Sequence, residues 1–238
     1  MSPEPFPPDL AARYDAWYKT PWGRAADVLE RELLESQLNV QPGESVLDVG
    51  CGTARWLSKL QTPNSELRTP NGLRAGLEPS AEMLKAARPR AQAGILLVRG
   101  VGEALPFADR SFDVVSLITS LEFTSDPARA VREAFRVARR RVVVAVLNRW
   151  SIITTVRRIK GLFVPTVYRE ARFYSPPELA RLIERETGRK PVWKTTLLCP
   201  LHALPLTRSC ERSPLLHTLP FGAFLVMLID KNGEPVNR

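Results

Sequence analysis

The stretch Val46-Leu47-Asp48-Val49-Gly50-Cys51-Gly52-Thr53-Ala54 decides how the chain is read. Ser45 to Val49 is a short apolar run of the kind that forms a buried parallel strand. Two glycines follow at 50 and 52, and a helical pattern resumes from Ala54 to Leu60. A strand, a glycine turn and a helix in this order turn backbone N–H groups outward at the C-terminal edge of a sheet, where open α/β proteins bind ligands. Glycine at both positions lets a ligand approach the main chain without a Cβ in the way.

Outward from this segment the chain alternates β-branched runs with helical patterns, which predicts βαβ units and one α/β domain over residues 1–238. Residues 1–42 read as an N-terminal helical arm. Asp9 to Lys19 is helical, and Thr20 and Pro21 are the N-cap and first-turn proline of a second helix with Ala25, Val28, Leu29 and Leu33 on one face. The turn Gln41-Pro42-Gly43-Glu44 ends the arm. Ala75–Glu78, Ile95–Arg99, Phe112–Ile118 and Arg141–Leu147 read as strands two to five. Ser80 caps a helix reaching about Arg88. Asp126 and Pro127 start one that buries Val131, Phe135 and Ala138 and ends on Arg139 and Arg140. Ser175-Pro176-Pro177-Glu178 has capping-box spacing for a helix stopping at Gly188. Val192–Leu198 and Phe221–Asp230 read as a final antiparallel pair.

Two further segments approach the same sheet edge. Glu78 ends strand two, where a carboxylate accepts both hydroxyls of a ribose, and Leu77-Glu78-Pro79-Ser80-Ala81-Glu82-Met83-Leu84 continues from it. Gly102-Glu103-Ala104-Leu105-Pro106-Phe107 follows strand three. A nicotinamide site is the competing reading, but it uses G-x-G-x-x-G to admit a pyrophosphate. Here an acid precedes G-x-G, and Asp48 suits a cationic amino acid moiety better than a phosphate.

With VLDVGCGTA, GLEPSAEML and GEALPFADRSFDVV in this order over roughly residues 45–147, the sequence resembles the class I S-adenosylmethionine-dependent methyltransferases, specifically the type 11 group that includes quinone-biosynthesis C-methyltransferases. The resemblance implies a Rossmann-like seven-stranded sheet of order 3-2-1-4-5-7-6, strand 7 antiparallel, flanked by helices, with the last two runs as strands 6 and 7. It implies S-adenosyl-L-methionine as cofactor and S-adenosyl-L-homocysteine as product. Asp48, Gly50 and Gly52 would lie near the methionine portion and Glu78 on the ribose, with Cys51, Pro79 and Met83 also among the cofactor-binding residues. Val101, Gly102 and Glu103 would meet the adenine, and Thr119 the reactive end. Tyr14 and Tyr18 of the arm would close over the cofactor, with plain helix packing as their other reading. The chain departs from the family in four places: a longer loop from Leu60 to Arg74, Val101 where many relatives carry an acid, Ala54 for a third glycine, and Arg139-Arg140-Arg141 for a Pro-Gly-Gly turn.

On the acceptor side Glu122, in Thr119-Ser120-Leu121-Glu122-Phe123, is the candidate base or substrate-orienting group, against the reading of a solvated loop acid. Asn148, Arg149 and Trp150 follow strand five at the same edge. Residues 148–175 read as a lid or substrate insertion, in which Ser151 to Phe163 interleaves Ile152, Ile153, Val156, Ile159 and Leu162 with Arg157, Arg158 and Lys160. This segment suits a packed lid or a peripheral contact with anionic lipid. Tyr168, Arg172, Phe173 and Tyr174 would suit an acidic or aromatic small-molecule acceptor, with ordinary packing as their other reading.

The net charge is +9, and residues 151–238 hold 14 Lys and Arg against 7 Asp and Glu. Such a field attracts anionic partners or keeps the chain soluble. Thr119 to Phe123 does not resemble the Asp/Asn-Pro-Pro-Tyr/Phe sequence of nucleic-acid amino methyltransferases, which favours a small acceptor. A nucleic-acid or protein methyltransferase and a non-catalytic cofactor-binding module are the alternatives. Met1 to Pro8 has no apolar core of a secretory signal, and Phe221 to Ile229 is too short to span a bilayer. Cys51, Cys199 and Cys210, odd in number and without zinc-ligand spacing, fit a reduced, cytoplasmic setting. His202 and His217 lack metal-ligand spacing, so no metal is expected.

Overall fold

A computed structural model describes residues 10–60, 72–91, 94–163, 171–199, 207 and 210–233. Two helices open the chain, α1 (Leu10–Trp17) and α2 (Pro21–Leu38). Then come β1 (Val46–Val49), α3 (Arg55–Lys59), β2 (Arg74–Glu78), α4 (Ala81–Ala91), β3 (Ile95–Arg99), β4 (Phe112–Ile118), α5 (Pro127–Val137) and β5 (Ala138–Leu147). The last elements are α6 (Ile152–Phe163), α7 (Pro176–Thr187), β6 (Val192–Thr196) and β7 (Phe224–Asp230). The strands form one sheet of order β3-β2-β1-β4-β5-β7-β6. β1 to β5 are parallel, and β7 runs antiparallel between β5 and β6. The expected order and the direction of strand 7 are both observed.

Period-two alternation divides the sheet into two dry faces. Leu47, Val115, Val142, Val144, Leu225 and Met227 meet α5 and α7 on one side. Val46, Val114, Val143, Ala145 and Val226 meet α2 on the other. Both faces being covered explains why β5 is apolar from Val142 to Leu147 without a polar interruption.

Several boundaries differ from expectation for physical reasons. The buried stripe of α2 is Ala26, Leu29, Leu33, Leu34 and Leu38, while Ala25 and Val28 are only partly covered. The cap itself is as expected, since the Gly23 N–H donates to Thr20 Oγ1 at 3.0 Å. The helix α4 continues through Pro89 to Ala91, running only two residues past the proline, which forfeits the bond its N–H would make to the Lys85 carbonyl. Ala138, Arg139 and Arg140 belong to β5, not to the end of α5. There Arg139 pairs with Asp113 at 2.8 Å and Arg140 with Glu44 at 2.8 Å. Arg141 donates to the Leu38 and Asn39 carbonyls. The triple arginine thus stitches α2 and β4 to the N-terminal edge of the sheet. Ser175 stands at the N-cap of α7 without a side-chain bond, and Glu178 is drawn to Arg149 at 3.1 Å instead of reaching back. Gly188 ends α7 at φ +65°.

Candidate functional site

The turn after β1 is held from both sides. The Gly50 and Cys51 N–H groups donate to the Leu77 carbonyl at 2.7 and 3.0 Å, and Ser120 Oγ donates to the Val49 carbonyl at 2.7 Å. Gly50 has φ +77°, and a Cβ there would stand 2.3 Å from Ser120 Cβ, so both conformation and space require glycine. At Gly52, φ +54°, a Cβ would meet nothing within 4 Å. Here glycine leaves room on the side where a ligand would lie. Ala54 takes the left-handed conformation at φ 55°, which costs a residue with a Cβ about 1–2 kcal/mol. Cys51 is buried with Sγ against Gly76, and burial beside Asp48 and Glu78 pushes its thiol far above the ordinary range.

Glu78 is buried at the end of β2. Its Oε2 accepts from the Gly52 N–H at 2.9 Å and its Oε1 from the Ser80 N–H at 3.0 Å. Ser80 Oγ in turn accepts from the Met83 N–H at 3.3 Å, which fixes the start of α4 and leaves Pro79 at the corner. Asp48 is 3 % exposed and accepts from Ser116 Oγ at 2.8 Å. Burial pushes its carboxyl up to about 7, against the lowering effect of Ser116, and the neighbouring Glu78 adds to the rise. Glu78 is raised too, by burial, with the Ser80 and Gly52 N–H groups opposing it. Among the described residues no Lys or Arg pairs with either acid. Two desolvated carboxyls without a cation make a site that gains from a positive ligand.

The third loop enters at Gly100, whose N–H donates to the Glu78 carbonyl at 3.3 Å. Val101 is 47 % exposed beside it, and a Cβ on Gly102 would stand 3.1 Å from Val49. The Glu103 side chain turns away, its Oε1 accepting from the Ser125 N–H at 2.8 Å and Ser125 Oγ at 2.9 Å. It serves the entry to α5.

The arm closes the fourth side. Asp15 of α1 accepts from Thr53 Oγ1 at 3.1 Å and pairs with Arg90 of α4 at 2.8 Å. Arg90 also donates to the Thr53 carbonyl at 3.1 Å. Tyr14 and Tyr18 meet edge to face at 5.2 Å, and the Arg55 guanidinium lies 4.3 Å over the Tyr18 ring. With Trp56, Thr119 and Phe224 these residues line a cleft at the end of β4. Thr119 is held at φ 47° by its N–H on the Ala145 carbonyl at 2.8 Å.

Glu122 lies in a 3-10 turn, Leu121–Phe123, and is 2 % exposed, not a solvated loop acid. Its Oε1 accepts from the Leu147 N–H at 2.7 Å, and its Oε2 is buried without a hydrogen-bond partner among the described residues. Burial pushes its carboxyl up to about 7. Asn148 is fully buried, donating to the Pro220 and Gly222 carbonyls at 2.7 and 2.8 Å, so it latches β5 to the approach of β7. Arg149 and Arg172 share Glu178. Tyr168, His202 and the loop 61–71 lie outside the described residues. His217 Nε2 is 2.8 Å from the Glu211 carbonyl, and the described residues hold no cluster of His, Cys, Asp or Glu able to bind a metal. No described helix is long and apolar enough to cross a membrane.

Asp15, Thr53, Arg90, Ser116 and Ser120 are parts of this site that a linear reading misses. Each acts across a separation of 37 residues or more, which spacing along the chain does not reveal even for Thr53 and Ser120, which lie in segments already singled out.

Residues 47–146 match a family model described as a methyltransferase domain of type 11. An uncharacterized protein of Mycobacterium tuberculosis is 35% identical over 202 residues, covering 82% of this chain; the chain spans 62% of that relative's length. A demethylmenaquinone methyltransferase of Geobacillus kaustophilus is 35% identical over 113 residues, 46% of this chain and 47% of its own. The crystal structure of an S-adenosylmethionine-dependent methyltransferase from Thermotoga maritima superimposes with a TM-score of 0.72 at 25% identity, covering 94% of this chain and 97% of that one. The β1 turn with its paired acids, the sheet order and these likenesses agree, and residues 47–146 form a class I S-adenosylmethionine-dependent methyltransferase domain of type 11.

Proposed function

We propose that this chain transfers the methyl group of S-adenosyl-L-methionine to a small-molecule acceptor. The observation that carries the reading is the pair of desolvated carboxyls, Asp48 and Glu78, without a Lys or Arg partner among the described residues and set around a glycine turn with open space at Gly52. The cofactor is a methyl sulfonium with an ammonium group, and it supplies a methyl group open to direct displacement. Asp48 would face the amino acid end, and Glu78, whose oxygens each keep lone-pair capacity, the ribose hydroxyls. Gly50, Cys51 and Gly52 would offer main chain. Pro79, Met83, Val101 and Gly102 would wall the base.

Since displacement needs alignment more than acid or base groups, the work of the chain is to position the acceptor and exclude water. Tyr14, Tyr18 and Trp56 supply aromatic faces beside the end of β4, where Arg31 and Arg55 stand with Asp27 and Glu30 and Arg55 pairs with Asp27 at 2.9 Å. The aromatic lining suits a planar acceptor, and the likeness to demethylmenaquinone methyltransferases supports a quinol-like one. Glu122 would orient the loop after β4 through Leu147.

Calorimetric titration with S-adenosyl-L-methionine and S-adenosyl-L-homocysteine tests the reading. Saturable binding of both is expected, weakened at least tenfold by Glu78→Ala. Absence of binding to either would overturn it. Methyl-release assays against quinols, carboxylates and thiols then sort the acceptors.

A further inference from the structure

Helix α6 turns an apolar side away from the domain. Ile153 and Thr154 are buried, Ile153 against the α2 side of the core. Ile152 is 76 % exposed, Ile159 52 % and Val156 45 %. Residues at i, i+4 and i+7 share a helical face, so three branched aliphatics form a stripe in water. Trp150, itself 46 % exposed, stands just before it. The apolar residues of α5 and α7 face the sheet instead. The α6 sequence also holds Arg157, Arg158 and Lys160 and no acid.

We propose that α6 lies on an anionic lipid surface, with Trp150, Ile152, Val156 and Ile159 entering the boundary between headgroups and chains. An amphipathic helix is held in that plane by apolar burial together with attraction of its basic residues to anionic headgroups. An indole with one apolar and one polar edge suits the same depth. Nucleic acid would match the charge and leave the stripe in water. A second copy would cover the stripe and set two basic, acid-free helices against each other. An anionic bilayer answers both features. Since α6 starts directly after β5, docking holds the C-terminal edge of the sheet near the bilayer, where an apolar acceptor partitions; that last step rests on the proposed function, and the docking does not.

The test is co-sedimentation of the full chain with vesicles of phosphatidylcholine alone and of phosphatidylcholine with one-quarter phosphatidylglycerol. Binding to the anionic vesicles only is expected, falling at least tenfold between 50 and 300 mM NaCl in the manner of a charge-assisted contact, a range chosen to span about 14 to 6 Å of screening length. The triple variant I152S/V156S/I159S should lose at least tenfold more, with its circular dichroism and melting temperature unchanged. Should it fold poorly, Ile152→Ser alone, at the most exposed position, should still lose severalfold. Undiminished binding of these variants, or no binding of the unsubstituted chain, overturns the proposal. So does a dimer in sedimentation equilibrium that the triple variant abolishes without any vesicle affinity, which would assign the stripe to a second copy.

Discussion

Asp48 and Glu122 are buried carboxyls whose protons are held up to about 7, and they lead to opposite experiments. At Asp48 the carboxylate form is the one a cationic ligand prefers. Affinity for S-adenosyl-L-methionine should therefore fall as pH drops from 8 to 6, by up to about tenfold per unit below 7, and Asp48→Asn should flatten the profile. A pH-independent dissociation constant in the unsubstituted chain would contradict this. At Glu122 the readout is stability. Its folded pKa lies above the ordinary 4.5, so the folded state holds the proton more tightly. That contribution is present below about 4.5 and is lost as pH rises through about 7, a loss on the order of 3 kcal/mol. Glu122→Gln keeps an oxygen for the Leu147 N–H and removes the titration. Its melting temperature should fall less than that of the unsubstituted chain between pH 5 and 8, whatever its absolute value. Parallel profiles would show that burial does not hold the proton. The acids themselves were visible in the sequence, one beside the glycines and one after strand four. Their burial was not, because it comes from packing between elements distant in sequence, across which Ser116 and Leu147 donate to them.

At the scale of elements, the turn after β1 admits no side chain at position 50. Gly50→Ala forces a Cβ to 2.3 Å from Ser120 and an unfavourable φ, and should cost about 2–4 kcal/mol in denaturant unfolding. A loss below 1 kcal/mol would mean that the Ser120 loop simply moves aside. Asp126 accepts from the Arg129 N–H at 3.0 Å, so Asp126→Ala should cost about 1 kcal/mol by the same measure. Element identity was legible wherever a cap or a period spoke clearly, as at Thr20, Asp126 and Gly188. It failed where tertiary partners decided. Arg139 and Arg140 look like the basic end of a helix until Asp113 and Glu44 are placed opposite them. The α2 stripe keeps Leu29 and Leu33 but takes Ala26 and Leu34 in place of Ala25 and Val28, because the helix packs on β5, β6 and β7, contacts that periodicity does not encode. The expected capping box at Ser175 lost its glutamate to Arg149, across 29 residues of chain.

For the whole molecule, the basic excess divides into parts with different roles. Arg139, Arg140 and Arg141 are consumed at the N-terminal edge of the sheet, and Arg90 and Arg55 hold the arm and the turn. Helix α6 keeps a cationic sequence beside an exposed apolar stripe. Net charge alone could not separate these uses.

The insertion of β7 between β5 and β6 also bears on how the protein is made. β7 is synthesised after both of its neighbours, and at about 5–20 residues per second the ribosome needs roughly 4–15 s to pass from Leu147 to Phe224. Throughout that interval the valine-rich β5 presents an open hydrogen-bonding edge, the kind that recruits other strands. Nascent chains stalled after β6 should be protease-sensitive from β5 onward and captured by chaperones, and those released past Asp230 should be neither. The vulnerable time of this protein thus falls during its translation, before any ligand can protect it.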